Sequence, residues 1–130
     1  MSDTTTAPAA ADAATQAALE RLNSVIDRLI APDGCPWDST QTPESLTEYV
    51  IEECHELVDA IRSGKTADMV EELGDVAFLI LLIGKLMARA GGPSLADALE
   101  VEAAKMVRRH PHVFSDTTYE SQSEQLKDWD

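Results

Sequence analysis

The chain has 130 residues, 44% of them hydrophobic and 5% aromatic, and a formal charge of -14. That length is one ordinary domain with one core, and a chain rich in Ala, Leu, Glu and Asp suits helices better than strands. The charge repels phosphate backbones and anionic lipid surfaces, so no nucleic acid and no membrane partner is expected; a small anionic substrate needs divalent cations or local Lys and Arg at its site.

The first fourteen residues show no apolar period and are expected to form a flexible tail, leaving residues 15–130 as a single domain. They carry neither a basic n-region nor an apolar h-region, which fits a cytoplasmic protein. From about Thr15, the residues Leu19, Leu22, Ile26 and Leu29 recur at spacings of three and four and predict an amphipathic helix ending near Pro32, Asp33 and Gly34. A loop is expected from Asp33 to Gln41. Thr42 then offers an N-cap hydroxyl with Pro43 at the first helical position, and Leu46, Val50, Cys54, Leu57 and Ile61 form the stripe of a second helix stopped by Ser63 and Gly64.

A third helix is expected from Thr66 to about Ala90, ended by Gly91, Gly92 and Pro93. Its apolar run from Val76 to Ile83 is far below the roughly 18 residues a bilayer span needs. A helix apolar all round wants contact on several sides, which implies a helical partner, a second copy of the chain. Ser94 and Asp97 open a fourth helix carrying Leu95, Leu99, Val101 and Met106, and His110-Pro111 closes it. No element is assigned to the polar stretch after Phe114, up to Leu126 and Trp129. Cys35 and Cys54 form no CxxC pair and read as two reduced thiols.

The acids of the two middle helices carry the chemistry. Glu52, Glu53 and Glu56 make an EExxE pattern, and Glu72 and Asp75 make ExxD. At about 100° per residue, Glu53 lies about 20° from Leu46 on the margin of its stripe, and Glu72 falls between Val76 and Leu79 inside an apolar face. Ionised carboxylates facing one interior cost several kcal/mol each unless neutralised, so divalent metal is expected, and all-oxygen ligands select Mg²⁺ or Mn²⁺. Gly74, within ExxD, hints at close approach by another backbone or ligand. A di-iron centre would use Glu52 and His55 as ExxH but needs two such pairs, and neither His110 nor His112 has a Glu three residues upstream. Lys105 and Arg109, four apart on one helix face, could bind phosphate, although a basic last turn also complements a helix dipole. Trp37 and Trp129 could stack on a base or simply pack.

From about Leu19 to Trp129 the sequence resembles the MazG family of nucleotide pyrophosphohydrolases. The resemblance is carried by EExxE, ExxD, GCPWD at Gly34 to Asp38, Gln41-Thr42, Ser45-Leu46, and KMVRRHPHVF from Lys105 to Phe114. It implies an all-α NTP pyrophosphatase fold, a four-helix bundle completed by dimerisation or further assembly to a tetramer, with Mg²⁺ at the acidic cluster. Glu53, Glu56, Glu72 and Asp75 would bind the metal and Glu52 would act as base or orienter of the attacking water. Lys105 and Arg109 would hold the triphosphate, with Trp129 near the nucleotide. The implied activity is hydrolysis of nucleoside triphosphates to monophosphate and pyrophosphate, a house-cleaning role in the nucleotide pool. A narrower dUTP/dCTP-type or phosphoribosyl-ATP-type enzyme and a non-enzymatic helical interaction protein are the alternatives, separated by product analysis.

Overall fold

An Ala-rich segment needs no apolar stripe to be helical, because Ala has the highest intrinsic helix propensity. In the computed structural model, which describes residues 6–127 and 129, helix α1 spans Thr6–Leu29. It thus begins nine residues ahead of the periodic segment at Thr15, so residues 6–14 of the expected tail are helical; residues 1–5 lie outside the described residues.

The expected loop contains a short helix, α2 (Pro36–Ser39), with Pro36 in its first turn. Gly34 is placed by close approach: a Cβ there would lie 2.3 Å from the Leu29 carbonyl oxygen and 2.4 Å from that of Arg28. The chain folds back tightly because the N–H of Gly34 donates to Ala31 and that of Cys35 to Leu29, each at 2.8 Å. Thr42 Oγ1 accepts a cap hydrogen bond, but Pro43, expected as the first helical residue, lies just ahead of the first turn, and the α-helix begins only at Thr47. The Ser45 N–H donates to Thr42 Oγ1 at 3.2 Å, and the Thr42 N–H donates to Ser45 Oγ at 2.9 Å. The first turn is a 3₁₀ helix, Glu44–Leu46, which runs into α3 (Thr47–Ser63).

Gly64, at φ 72°, ends α3 in the left-handed conformation that glycine adopts without a Cβ penalty. α4 (Thr66–Arg89) then returns along α3, its main packing partner. The Ser94 N–H donates to the Asp97 carboxylate at 2.8 Å and opens α5 (Leu95–Arg109), as expected from the spacing. Two short helices follow, α6 (Pro111–Phe114) and α7 (Gln122–Leu126). Neither is long enough to show an amphipathic period, so periodicity left them unassigned. The described residues therefore form an all-α fold of four long helices with three short ones and the 3₁₀ turn.

The core lies where α1 and the 3₁₀ turn meet α4. Ile26, Leu46 and Leu82 are fully buried, with Leu79, Leu81 and Leu86 around them. Each such side chain contributes about 1.5–3 kcal/mol on burial. Two cations of α4 reach across to neighbouring segments: Lys85 pairs with Asp27 on α1 at 2.5 Å, and Arg89 pins the connection that carries Trp37 by donating to the carbonyls of Ile30 and Ser39 at 3.4 and 3.0 Å. No helix among the described residues is long and apolar enough to cross a membrane. The remaining apolar surface is large, with Val70 67%, Leu73 60% and Ile80 50% exposed along α4 and Ile51 61% exposed on α3. The close approach expected at Gly74 is absent within the protomer, since a Cβ there would meet nothing within 4 Å.

Candidate functional site

The α3–α4 hairpin sets acid against acid. Glu53 and Asp75 line one recess between the helices, and Glu56 and Glu72 line the next, where Asp59 and Asp68 also stand. One carboxylate oxygen from each of Glu53, Glu56 and Glu72 lies within 4.8 Å of the other two. Three groups that repel one another when ionised thus share one small space, held there by helix packing.

Their environment records the conflict. Glu53 Oε2 and Glu72 Oε2 are shielded from solvent and have no hydrogen-bond partner among the described residues. Burial, then the charge of Glu56 and a hydrogen bond with it, then the charges of Asp75 and Glu53, push the Glu72 carboxyl up to about 7. Burial and the neighbouring Glu56, Asp75 and Glu52 also raise Glu53 above the ordinary carboxylate range. Among the described residues no Lys or Arg contributes to either shift, and the ion pairs Arg28–Asp33, Lys85–Asp27 and Lys105–Glu102 engage other acids.

An all-oxygen donor set with two shielded, unpartnered oxygens matches a hard divalent cation such as Mg²⁺ or Mn²⁺. The carboxylates also fail the di-iron pattern. His55 is outside the group and lines a separate apolar groove with Val50, Ile51, Cys54 and Val58, while Glu52 is exposed.

The expected site residues divide into two sets. With the carboxylates stands Trp37, whose ring meets Tyr49 edge-on at 5.6 Å and 88°. The two rings line a recess of about 190 Å³ together with Glu53, Asp75, Phe78 and Leu79. Asp75 is exposed and outside the 4.8 Å group, yet close enough to shift Glu53 and Glu72. Glu52 neighbours Glu53 and raises its pKa. Lys105, Arg109 and Trp129 are elsewhere: Lys105 pairs with Glu102 at 3.2 Å, and the Arg109 guanidinium lies 5.0 Å from the centre of the Trp129 ring. Among the described residues no ion pair joins these cations to the acidic cluster.

Sequence reading passed over Tyr49, Asp59 and Asp68. Helix spacing contains the signal for all three: Tyr49 precedes Glu53 by one turn, Asp59 follows Glu56 by three residues, and Asp68 precedes Glu72 by four.

Residues 41–114 match the MazG nucleotide pyrophosphohydrolase domain. The chain is 44% identical over 107 residues to the uncharacterized protein YabN of Bacillus subtilis, covering 82% of this chain and 22% of that one. It is 42% identical over 98 residues to the nucleoside triphosphate pyrophosphohydrolase/pyrophosphatase MazG of Thermotoga maritima, covering 75% and 38%. The match to the nucleoside triphosphate pyrophosphohydrolase of Escherichia coli K12 is 36% over 113 residues, covering 86% and 43%. The chain thus spans less than half the length of these curated relatives. The crystal structure of a mazG-related protein from Thermotoga maritima superposes with a TM-score of 0.69 at 31% identity, over 85% of this chain and 94% of that one.

Proposed function

The chain belongs to the MazG nucleotide pyrophosphohydrolase family, and from that membership we propose that it hydrolyses nucleoside triphosphates to nucleoside monophosphate and pyrophosphate. The observation that carries the reading is the triad of Glu53, Glu56 and Glu72 oxygens within 4.8 Å, two of those side chains each holding a shielded oxygen without a partner. Helix packing alone gives no reason to gather mutually repelling carboxylates, whereas a bound cation does.

Mg²⁺, or Mn²⁺ in its place, held by Glu53, Glu56, Glu72 and Asp75 would offset the charge of acids and triphosphate and make a water more acidic. Glu52, exposed beside Glu53, is the candidate to orient that water and accept its proton. The apolar walls of the Trp37–Tyr49 recess, next to Glu53 and Asp75, give a base or sugar a place to pack. Lys105 and Arg109 supply positive charge for the phosphates of a −4 or similar anion in a chain of charge -14.

The test is product analysis with a panel of NTPs and dNTPs in Mg²⁺. The expected products are monophosphate and pyrophosphate, with activity lost in excess chelator and regained on adding Mg²⁺ or Mn²⁺. Orthophosphate and nucleoside diphosphate as main products would refute the assignment.

The same reading includes self-association. A compact monomer of 14.1 kDa exposes roughly 6,700 Å² by the scaling of surface with mass, whereas this protomer exposes 9593 Å². On α4 the exposed Val70, Leu73, Ile80 and Met87 fall at spacings of three and seven, the seam of a helix that packs along another. A second copy, whose α4 carries the same seam, is the occupant we assign. Sedimentation equilibrium should give a mass of at least two chains, and Leu73→Lys with Ile80→Lys should reduce it to one; a parent that sediments as a monomer at tens of micromolar would contradict this.

A further inference from the structure

From Arg109, the last residue of α5, five side chains form a continuous row. The Arg109 guanidinium carbon lies 5.0 Å from the centre of the Trp129 ring. The His110 ring meets the same indole at 5.5 Å and 79°. His110 and His112 are 5.6 Å apart, and His112 meets Tyr119 at 5.1 Å. His110 is itself fixed, its Nδ1 lying 2.6 Å from the Met106 carbonyl oxygen. Arg109 Nε, in contrast, is shielded from solvent and has no hydrogen-bond partner among the described residues.

We propose that Trp129 is a positioning residue that holds the Arg109 guanidinium for phosphate oxygens and does not read the base. This rests on the reading of Arg109 as a triphosphate ligand given above. A cation over an aromatic ring is attracted to it without being neutralised. That matters in a chain of charge -14, where an unrestrained arginine side chain has many carboxylates to pair with. The indole orders the guanidinium and leaves its charge available, and the planar fork of Arg is suited to phosphate oxygens once ordered. With Arg109 and His110 both packed on the indole, stacking against a base falls to Trp37 with Tyr49, which are next to Glu53 and Asp75.

The two roles separate with a probe that has phosphates and no base. Binding of inorganic tripolyphosphate in Mg²⁺ would be measured by calorimetry for the parent, Arg109→Ala, Trp129→Ala, Trp129→Phe and the Arg109→Ala/Trp129→Ala double variant, beside KM and kcat for one NTP. Trp129→Ala should weaken tripolyphosphate binding by roughly tenfold, as Arg109→Ala does. The double variant should be no weaker than Arg109→Ala alone, and Trp129→Phe, which keeps a ring face, should restore most of the loss. The proposal is overturned if Arg109→Ala weakens tripolyphosphate while Trp129→Ala leaves it unchanged and raises only the KM for the nucleotide. If Arg109→Ala itself has no effect on tripolyphosphate, Arg109 is not a triphosphate ligand, and the role of Trp129 falls with it. Unchanged helical circular dichroism in each variant separates these outcomes from misfolding.

Discussion

Glu53→Gln is expected to lower turnover by about a thousandfold while the fold is kept. The substitution preserves size and leaves one carbonyl oxygen in place of a carboxylate, so packing against α4 should survive. What is lost is a charged ligand at the centre of the cluster, since Glu53 belongs to the 4.8 Å triad and also lines the Trp37–Tyr49 recess with Asp75. A metal ion supplies several kcal/mol of charge stabilisation to a transferring phosphoryl group, and each 1.36 kcal/mol is a factor of ten in rate, so losing most of it costs on the order of 10³. The effect should fall on kcat more than on KM, because the charge develops in the transition state. Steady-state kinetics in saturating Mg²⁺ checks it. Parental kcat in Glu53→Gln would remove this residue from the site.

Glu72→Gln should separate stability from activity. Glu72 titrates near 7 when no metal is present, above its ordinary value of 4.5, because burial and then Glu56, Asp75 and Glu53 oppose its ionised form. The folded state therefore holds this proton more tightly than the unfolded state does. The resulting stability is present in full below about 4.5, declines as pH rises, and is gone once pH passes about 7. Thermal melts of the metal-free parent should show this loss between pH 5 and 8. Glu72→Gln, which has no proton to lose there, should have a flatter profile and melt no lower than the parent at pH 8. Added Mg²⁺ should reverse the order at pH 8, because the parent gains RT ln(1 + [L]/Kd) and the variant, with a ligand missing, gains less. Equal Mg²⁺-induced shifts in the two proteins would show that Glu72 does not bind the metal.

Much of this was legible in the sequence because helix periodicity and cap chemistry are local. Gly64 after Ser63 and Ser94 with Asp97 sit where a missing Cβ or a side chain predicts and each marks a boundary of a long helix, while Thr42 with Ser45 caps the 3₁₀ turn that leads into one. The cluster was legible for the same reason: the angle of Glu72 on α4 places it among apolar neighbours, and the structure shields its Oε2. What was not legible depends on composition without pattern or on contacts between distant segments. The early start of α1 at Thr6 comes from Ala propensity in a stretch with no apolar stripe. The pairing of Trp37 with Tyr49 depends on how the Gly34 turn folds back on α1, and the row from Arg109 to Tyr119 depends on the return of the chain after α6. Lys105 and Arg109 share a helix face as their spacing requires, yet spacing gives no distance from that face to another helix pair, and among the described residues they engage Glu102 and Trp129 rather than the carboxylates.

The central claim is that Glu53, Glu56 and Glu72 form a divalent-metal site that drives hydrolysis. The most direct test is a Mn²⁺ titration that counts bound ions by electron paramagnetic resonance and follows pyrophosphate release from an NTP in the same samples, for the parent and Glu72→Gln. In the parent, bound Mn²⁺ and pyrophosphate release should rise together; in Glu72→Gln both should be largely lost over the same concentration range. Parental Mn²⁺ binding and pyrophosphate release in Glu72→Gln, or full turnover by the parent with all Mn²⁺ chelated, would contradict it.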